Sequence, residues 1–187
     1  MPLMKSPTFG FTLIELLVAI TVAGILAAIA IPAFNNFVMN DRDATQINSL
    51  AASLNYARSM AVKLNTKNGV EVCPSSDEQT CNAPAGGWAA GWVVLDMTNP
   101  GAPVVLQAVP ALAGVNTVNA TGAGANLIIF RSNGTVSGGG VITSAQIKIC
   151  DPRGAAFARD VEVSPVGSIS STQTPGKSAT GAALACP

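Results

Sequence analysis

The chain has 187 residues, ten Lys and Arg against ten Asp and Glu, and no histidine, so its formal net charge is zero. Charged residues make up 11% of it, less than half of the roughly 25% found in an ordinary soluble domain. No basic excess is present to hold a phosphate backbone, and the lack of histidine removes the commonest general base and the commonest metal ligand together. Ser75 and Ser76 have no evident base beside them in sequence, so nucleophilic catalysis lacks its partner group. Neither an enzyme nor a metal or cofactor is expected.

Residues 1–10 (MPLMKSPTFG) form a short segment with one cation, Lys5. From Phe11 to Ile31 the chain reads FTLIELLVAITVAGILAAIAI, with only Thr12, Glu15, Thr21 and Gly24 outside the apolar set. As a helix this run spans about 30 Å, the thickness of a bilayer's hydrocarbon core, so a transmembrane helix over 11–31 is expected. An ordinary secretory signal cut near Ala28-Ile29-Ala30 is the alternative. The run is long for a signal core, and it carries an acid near its start. A carboxylate at mid-membrane costs about 3 kcal/mol on insertion scales, which marks Glu15 as a functional candidate. A cut between Gly10 and Phe11 would place a new amine one helical turn before Glu15. That amine, or the amine of a neighbouring subunit, could pair with the carboxylate.

The string Gly10-Phe11-Thr12-Leu13-Ile14-Glu15, followed by the apolar run, resembles the type IV pilin signature almost letter for letter. The resemblance implies that a prepilin peptidase removes residues 1–10 by cutting after Gly10 and methylates the amine of Phe11. It also implies that Glu15 helps recruit the subunit into a filament. Leaders of this kind often hold more than one cation, a mild departure here. Pro32 stands where the family has a bend or a locally melted stretch. A plain helix stop at the membrane surface is the alternative, since proline does both.

Helical patterning resumes beyond Pro32, giving an amphipathic continuation over 32–64. Ile47, Leu50, Ala51, Leu54, Ala57 and Ala61 would form one apolar stripe, with Asn48, Ser53, Asn55, Ser59 and Lys63 opposite. Asp41 and Asp43 suit a local helix restart. A helix from Phe11 to about Leu64 would be roughly 80 Å long. Residues 65–187 read as a head of short strands: Gly69–Cys73, Gly91–Asp96, Val104–Val109, Asn126–Arg131, Gln146–Cys150 and Asp160–Ser164. Turn residues separate them, Asn133-Gly134 suiting a tight turn. The predicted class is α+β: a pilin-like long N-terminal helix packed on a small antiparallel sheet.

All four cysteines lie past residue 70, in the part expected to be exported, and an even count there reads as disulfides. Three connectivities are possible, and loop economy favours Cys73–Cys81 with Cys150–Cys186. The second bond would tie down a tail over 165–187 that is poor in apolar groups and would otherwise fray. Trp88 and Trp92 read as core in preference to a ligand platform, and Arg58 as a partner for a nearby acid.

A second resemblance runs through Tyr56-Ala57-Arg58-Ser59, Val72-Cys73-Pro74-Ser75-Ser76, Gly91-Trp92 and Ile149-Cys150-Asp151-Pro152-Arg153-Gly154. These segments are similar to the GspH/FimT family of minor pilins and minor pseudopilins, with Met60 standing where members usually have an acid. The resemblance implies a minor structural subunit of a type IV pilus at or near the tip. Its partners would be other minor pilins, the major pilin and an inner-membrane platform protein. Before assembly it would sit in the bacterial inner membrane with its head in the periplasm. A minor pseudopilin of type II secretion is the alternative, and a DNA-binding minor pilin a second. In DNA-binding relatives a glycine near the C-terminus is followed by alternating arginines. The matching stretch, Gly167-Ser168-Ile169-Ser170, has serine at both places, so the charge that dominates DNA affinity is missing. Arg131, Lys148, Arg153 and Arg159 are scattered, the last two among Asp151, Asp160 and Glu162, which predicts surface ion pairs.

Overall fold

The computed structural model describes residues 10–83, 87–114, 116–122, 124–138, 141–142, 144–172 and 174–186. The expected leader therefore lies outside the described residues except for Gly10. One α-helix, α1, runs from Leu13 to Leu64. It neither stops nor melts at Pro32, and it does not restart at Asp41 or Asp43. Proline removes one intrahelical hydrogen bond, and the helix continues through it.

The chain divides into two compact units, one ending at Met39 and one from Asn40 onward. In the first, every described residue up to Val38 is exposed, including Phe11, Leu13, Ile14, Leu17, Ile20 and Leu26. In the second, α1 buries Ile47, Leu50, Leu54, Ala57 and Ala61, the stripe read from the sequence, while Ala51 is half-buried. Ser53, assigned to the polar side, is buried; its hydroxyl donates to the carbonyl of Ser49 four residues back. That local bond lets a small polar residue share the buried face without an orphaned hydroxyl.

Among the described residues the head holds ten strands in two antiparallel sheets. The strands are β1 (Val70–Pro74), β2 (Trp92–Asp96), β3 (Val104–Val109), β4 (Thr117–Thr121), β5 (Ile128–Phe130), β6 (Val136–Gly138), β7 (Val141–Ile142), β8 (Ala145–Cys150), β9 (Arg159–Val163) and β10 (Ile169–Ser171). The first sheet has the order β3-β2-β1-β5-β6-β7 and the second β10-β9-β8-β4. All six predicted strands are present, trimmed or shifted by a residue or two at their ends except β3. Four were not foreseen: β4, β6, β7 and β10. The inner faces, with Val72, Val94, Ile128 and Phe130 from one sheet and Ile147, Ile149, Val161 and Val163 from the other, share a single core with the helix stripe. Trp88 and Trp92 belong to that core, and the Trp88 indole N–H donates to the carbonyl of Ala125 at 2.7 Å. The tight turn expected at Asn133-Gly134 joins β5 to β6, closed by the Gly134 N–H on the Arg131 carbonyl.

Two disulfides, Cys73–Cys81 and Cys150–Cys186, each fold a segment over the outer face of one sheet. The first loop covers a small apolar cluster of Cys73, Val93 and Leu95. Asp77 organises that loop by accepting from the N–H groups of Gln79 and Thr80 and from the hydroxyls of Ser75 and Thr80. The second disulfide holds the C-terminal tail, where Leu184 packs with Cys150 and Ala158. The tail is fixed by more than its disulfide. Buried Asp160 accepts from the Thr172 hydroxyl, the Ala179 N–H and the Gln146 amide, and Lys148 donates to the Ala185 carbonyl.

Candidate assembly site

The start of α1 is built by Thr12. Its backbone carbonyl accepts the first helical bond from Leu16, and its hydroxyl accepts from the Glu15 N–H at 3.2 Å. Thr12 is thus the N-cap and Glu15 the third helical residue, half of a capping box. The Thr-x-x-Glu spacing is readable in the sequence, where it coincides with the pilin-like signature. Glu15 is also the one acid in the first turn, where the helix dipole favours negative charge. Phe11 is 84% exposed immediately before the cap. Gly10, Phe11 and Glu15 therefore stand together at one helix end, while Pro32 lies on the same exposed stretch four to five turns further on.

Where α1 enters the head, a polar cluster holds it. Arg153, from the loop after β8, donates to Asp43 on the helix at 3.3 Å and through Nε to Asp151 at 2.6 Å, with its guanidinium 4.1 Å from the Phe157 ring centroid. Asn116 donates to both Asp43 and Gln46 at 2.7 Å, and Gln46 donates to the Ala113 carbonyl. Burial pushes the Asp43 carboxyl above its usual range; Asn116 opposes this, and the nearby Asp151 adds to it. Burial acts in the same sense on Asp151, but the side-chain and backbone bonds from Arg153 outweigh it and hold that carboxyl low. The surface pairing expected for Arg153 is replaced by a mostly buried one that spans 110 positions. Arg159, by contrast, forms no ion pair among the described residues, and its Nε is buried without a partner there.

Arg58 likewise forms no ion pair among the described residues. It lies over the turns at Gly134 and Gly167, which meet so closely that a Cβ on Gly167 would fall 1.9 Å from the Gly134 carbonyl oxygen. With φ at 80°, Gly167 is required by the turn and by that approach. Ser168 and Ser170 are exposed, and Ser170 sits opposite Glu162 on β9.

Residues 6–31 match the prokaryotic N-terminal methylation motif, and residues 46–167 match the family described as Type II transport protein GspH. A type IV major fimbrial protein FimA of Dichelobacter nodosus is 39% identical over 77 residues, 41% of this chain and 45% of that one. A fimbrial protein of the same organism is 49% identical over 51 residues, covering 27% and 31%. The chain thus spans less than half the length of these curated relatives. Among solved structures, the Pseudomonas aeruginosa type IV minor pilin FimU in one crystal form superposes with a TM-score of 0.53 at 21% identity, covering 74% of this chain and 98% of that one. A second crystal form gives 0.54 at 20%, covering 77% and 99%. At such identity the likeness is one of fold. An apolar N-terminal helix whose start lies within a methylation motif, continuing onto antiparallel sheets, defines a type IV pilin-like protein. Within that class, the match over about two thirds of its length places the chain in the GspH family.

Proposed function

We propose that this chain is a minor structural subunit of a type IV pilus. It is made as a precursor, cut after Gly10 by a prepilin peptidase, methylated at Phe11 and held in the inner membrane by α1 with its head in the periplasm. The observation that carries this reading is the pairing of an exposed apolar helix, begun by Thr12 and Glu15 within the methylation motif, with a head of the minor-pilin fold. In lipid the exposed side chains are solvated by acyl chains; in a filament they pack against the helices of the major pilin and other minor pilins. Removing the leader exposes an amine beside Glu15, and a carboxylate in that apolar setting is stable only when paired. Pairing with the amine of a neighbouring subunit would align one helix on the next, with the platform protein delivering the subunits. The fimbrial relatives favour a pilus over a type II secretion pseudopilus, and a place near the tip is what the minor-pilin resemblance implies.

Glu15→Gln separates this role from helix capping, because glutamine also serves at the third position of a capping box. The variant should remain in the membrane with its head folded, yet be missing from sheared filaments on immunoblots. Normal incorporation of Glu15→Gln would remove the charge pair from the account.

A further inference from the structure

The second sheet carries a cavity of mixed polar and apolar lining, none of whose residues belongs to the Gly10, Phe11 and Glu15 end of α1. It has a volume of about 470 Å³ and lies where β8, β9 and β10 meet the tail. That volume falls in the range of roughly 300–1,000 Å³ seen for small-molecule sites. Cross-strand register places Thr121, Gln146, Glu162 and Ser170 in one row across the four strands. The tail, held by Cys150–Cys186 and Asp160, brings Thr180 to the same wall, and Pro165 supplies an apolar patch. Glu162 is the single charged residue of the lining, and no Lys or Arg is among the lining residues.

Within this row the bonds to Glu162 Oε1 and Gln146 Oε1 are long, whereas the Gln146 amide also donates to Asp160 at 2.7 Å and the Thr180 and Ser178 hydroxyls share a bond of 2.8 Å. Thr180 and Gln146 reach Glu162 Oε1 at 3.3 and 3.4 Å, and Thr121 reaches Gln146 Oε1 at 3.4 Å. Bonds of that length are weak and readily exchanged for better ones. A carboxylate accepts two donors at once, while hydroxyls and the amide both donate and accept. Phosphate and nucleic acid are disfavoured by a carboxylate with no cation beside it. We propose that this cavity binds a neutral polyol of about one sugar ring. Glu162 accepts a vicinal pair of hydroxyls, the Thr121, Gln146, Ser170 and Thr180 groups complete the ring of polar contacts, and Pro165 meets the C–H face. This site is independent of leader cleavage and of Glu15, so its failure would leave the filament reading untouched.

The test uses the full chain, ¹⁵N-labelled and oxidised, in a detergent without a sugar head group. Glucose, galactose, mannose and N-acetylglucosamine are each added to about 10 mM, enough to occupy most sites of a millimolar binder. Spermidine and a short DNA duplex serve as comparators. At least one sugar should shift the amides of Thr121, Gln146, Glu162, Ser170 and Thr180 together. Glu162→Gln should weaken that binding about ten-fold, the loss expected when charge-assisted bonds become neutral. Thr121→Val, at the exposed rim, guards against misfolding of the first variant and should weaken binding by a smaller factor. No sugar response, a response elsewhere on the head, or tighter binding of spermidine or DNA at these residues would each overturn the proposal.

Discussion

The two halves of α1 are continuous in backbone and opposite in what surrounds them. Up to Val38 every described position is exposed and most are apolar; from Asp43 to Ala61 eight side chains are buried. Helical propensity cannot account for that contrast, since both halves are helix. The lesson is that one helix can have two solvents. The first half is written for lipid or neighbouring helices, with apolar groups all round. The second is written for a head, with one stripe facing the core.

This contrast is open to attack by mutation. The largest effect should come from the polar grip on the second half. Arg153→Ala leaves Asp43 and Asp151 without their shared cation, and breaking a mostly buried pair in this way costs about 3–5 kcal/mol. Urea unfolding of the head should show it, and a loss below about 1 kcal/mol would demote the cluster to a surface pair. Leu54→Ala, fully buried, should cost about 3 kcal/mol, whereas Leu17→Ala on the exposed half should leave head unfolding unchanged. Equal effects from the two leucines would erase the distinction between the halves.

The disulfides give a smaller and more quantitative comparison. They close loops with sequence separations of 36 and 8. The chain-entropy account predicts that removing Cys150–Cys186 costs about 1.3 kcal/mol more than removing Cys73–Cys81. Paired Cys→Ser variants, unfolded in urea under non-reducing conditions, measure that difference directly.

The smallest effect is a divergence of two carboxyls in the head. Burial raises Glu71, which lies between Leu95 and Ile129 on the first sheet. Hydrogen bonds from the Thr80 and Gln79 amides and the Thr80 hydroxyl hold Asp77 well below the carboxylate range. The signs are opposite. The Glu71 contribution is fully present below its unfolded pKa and is lost as pH rises through its raised folded pKa. The Asp77 contribution is present above its unfolded pKa and is lost only as pH falls through its depressed one. Carboxyl ¹³C titration should place Glu71 above about 4.3 and Asp77 below about 3.9, the ordinary values. Overlapping midpoints would contradict the loop and strand geometry given for them.

Much of this was legible because it is local. The apolar run from Phe11, the stripe from Ile47 to Ala61 and the Val-rich strands each announce themselves within a few residues, and β3 has the predicted limits Val104–Val109. What escaped was either weakly apolar or distant in sequence. β4 is Thr-Val-Asn-Ala-Thr on a sheet edge, half-exposed; it alternates, with Val118 and Ala120 packed on the core, but one valine and one alanine in five residues make a weak signal. The Asp43–Arg153 pair joins residues 110 positions apart, and nothing local to Asp43 distinguishes it from a helix-start acid. Asp160 looked like a surface partner for arginine and instead fastens the tail. Gly167 drew attention through the serines after it, while its own requirement is the contact with Gly134.

The central claim is that the exposed half of α1 begins at a processed Phe11. The most direct measurement is the intact mass of the protein, recovered without reductant from cells containing and lacking the prepilin peptidase. The account predicts a chain starting at methylated Phe11 and lacking four hydrogens for its two disulfides, seen only when the peptidase is present. A chain starting near Ile31, or an uncut precursor in both strains, would contradict it.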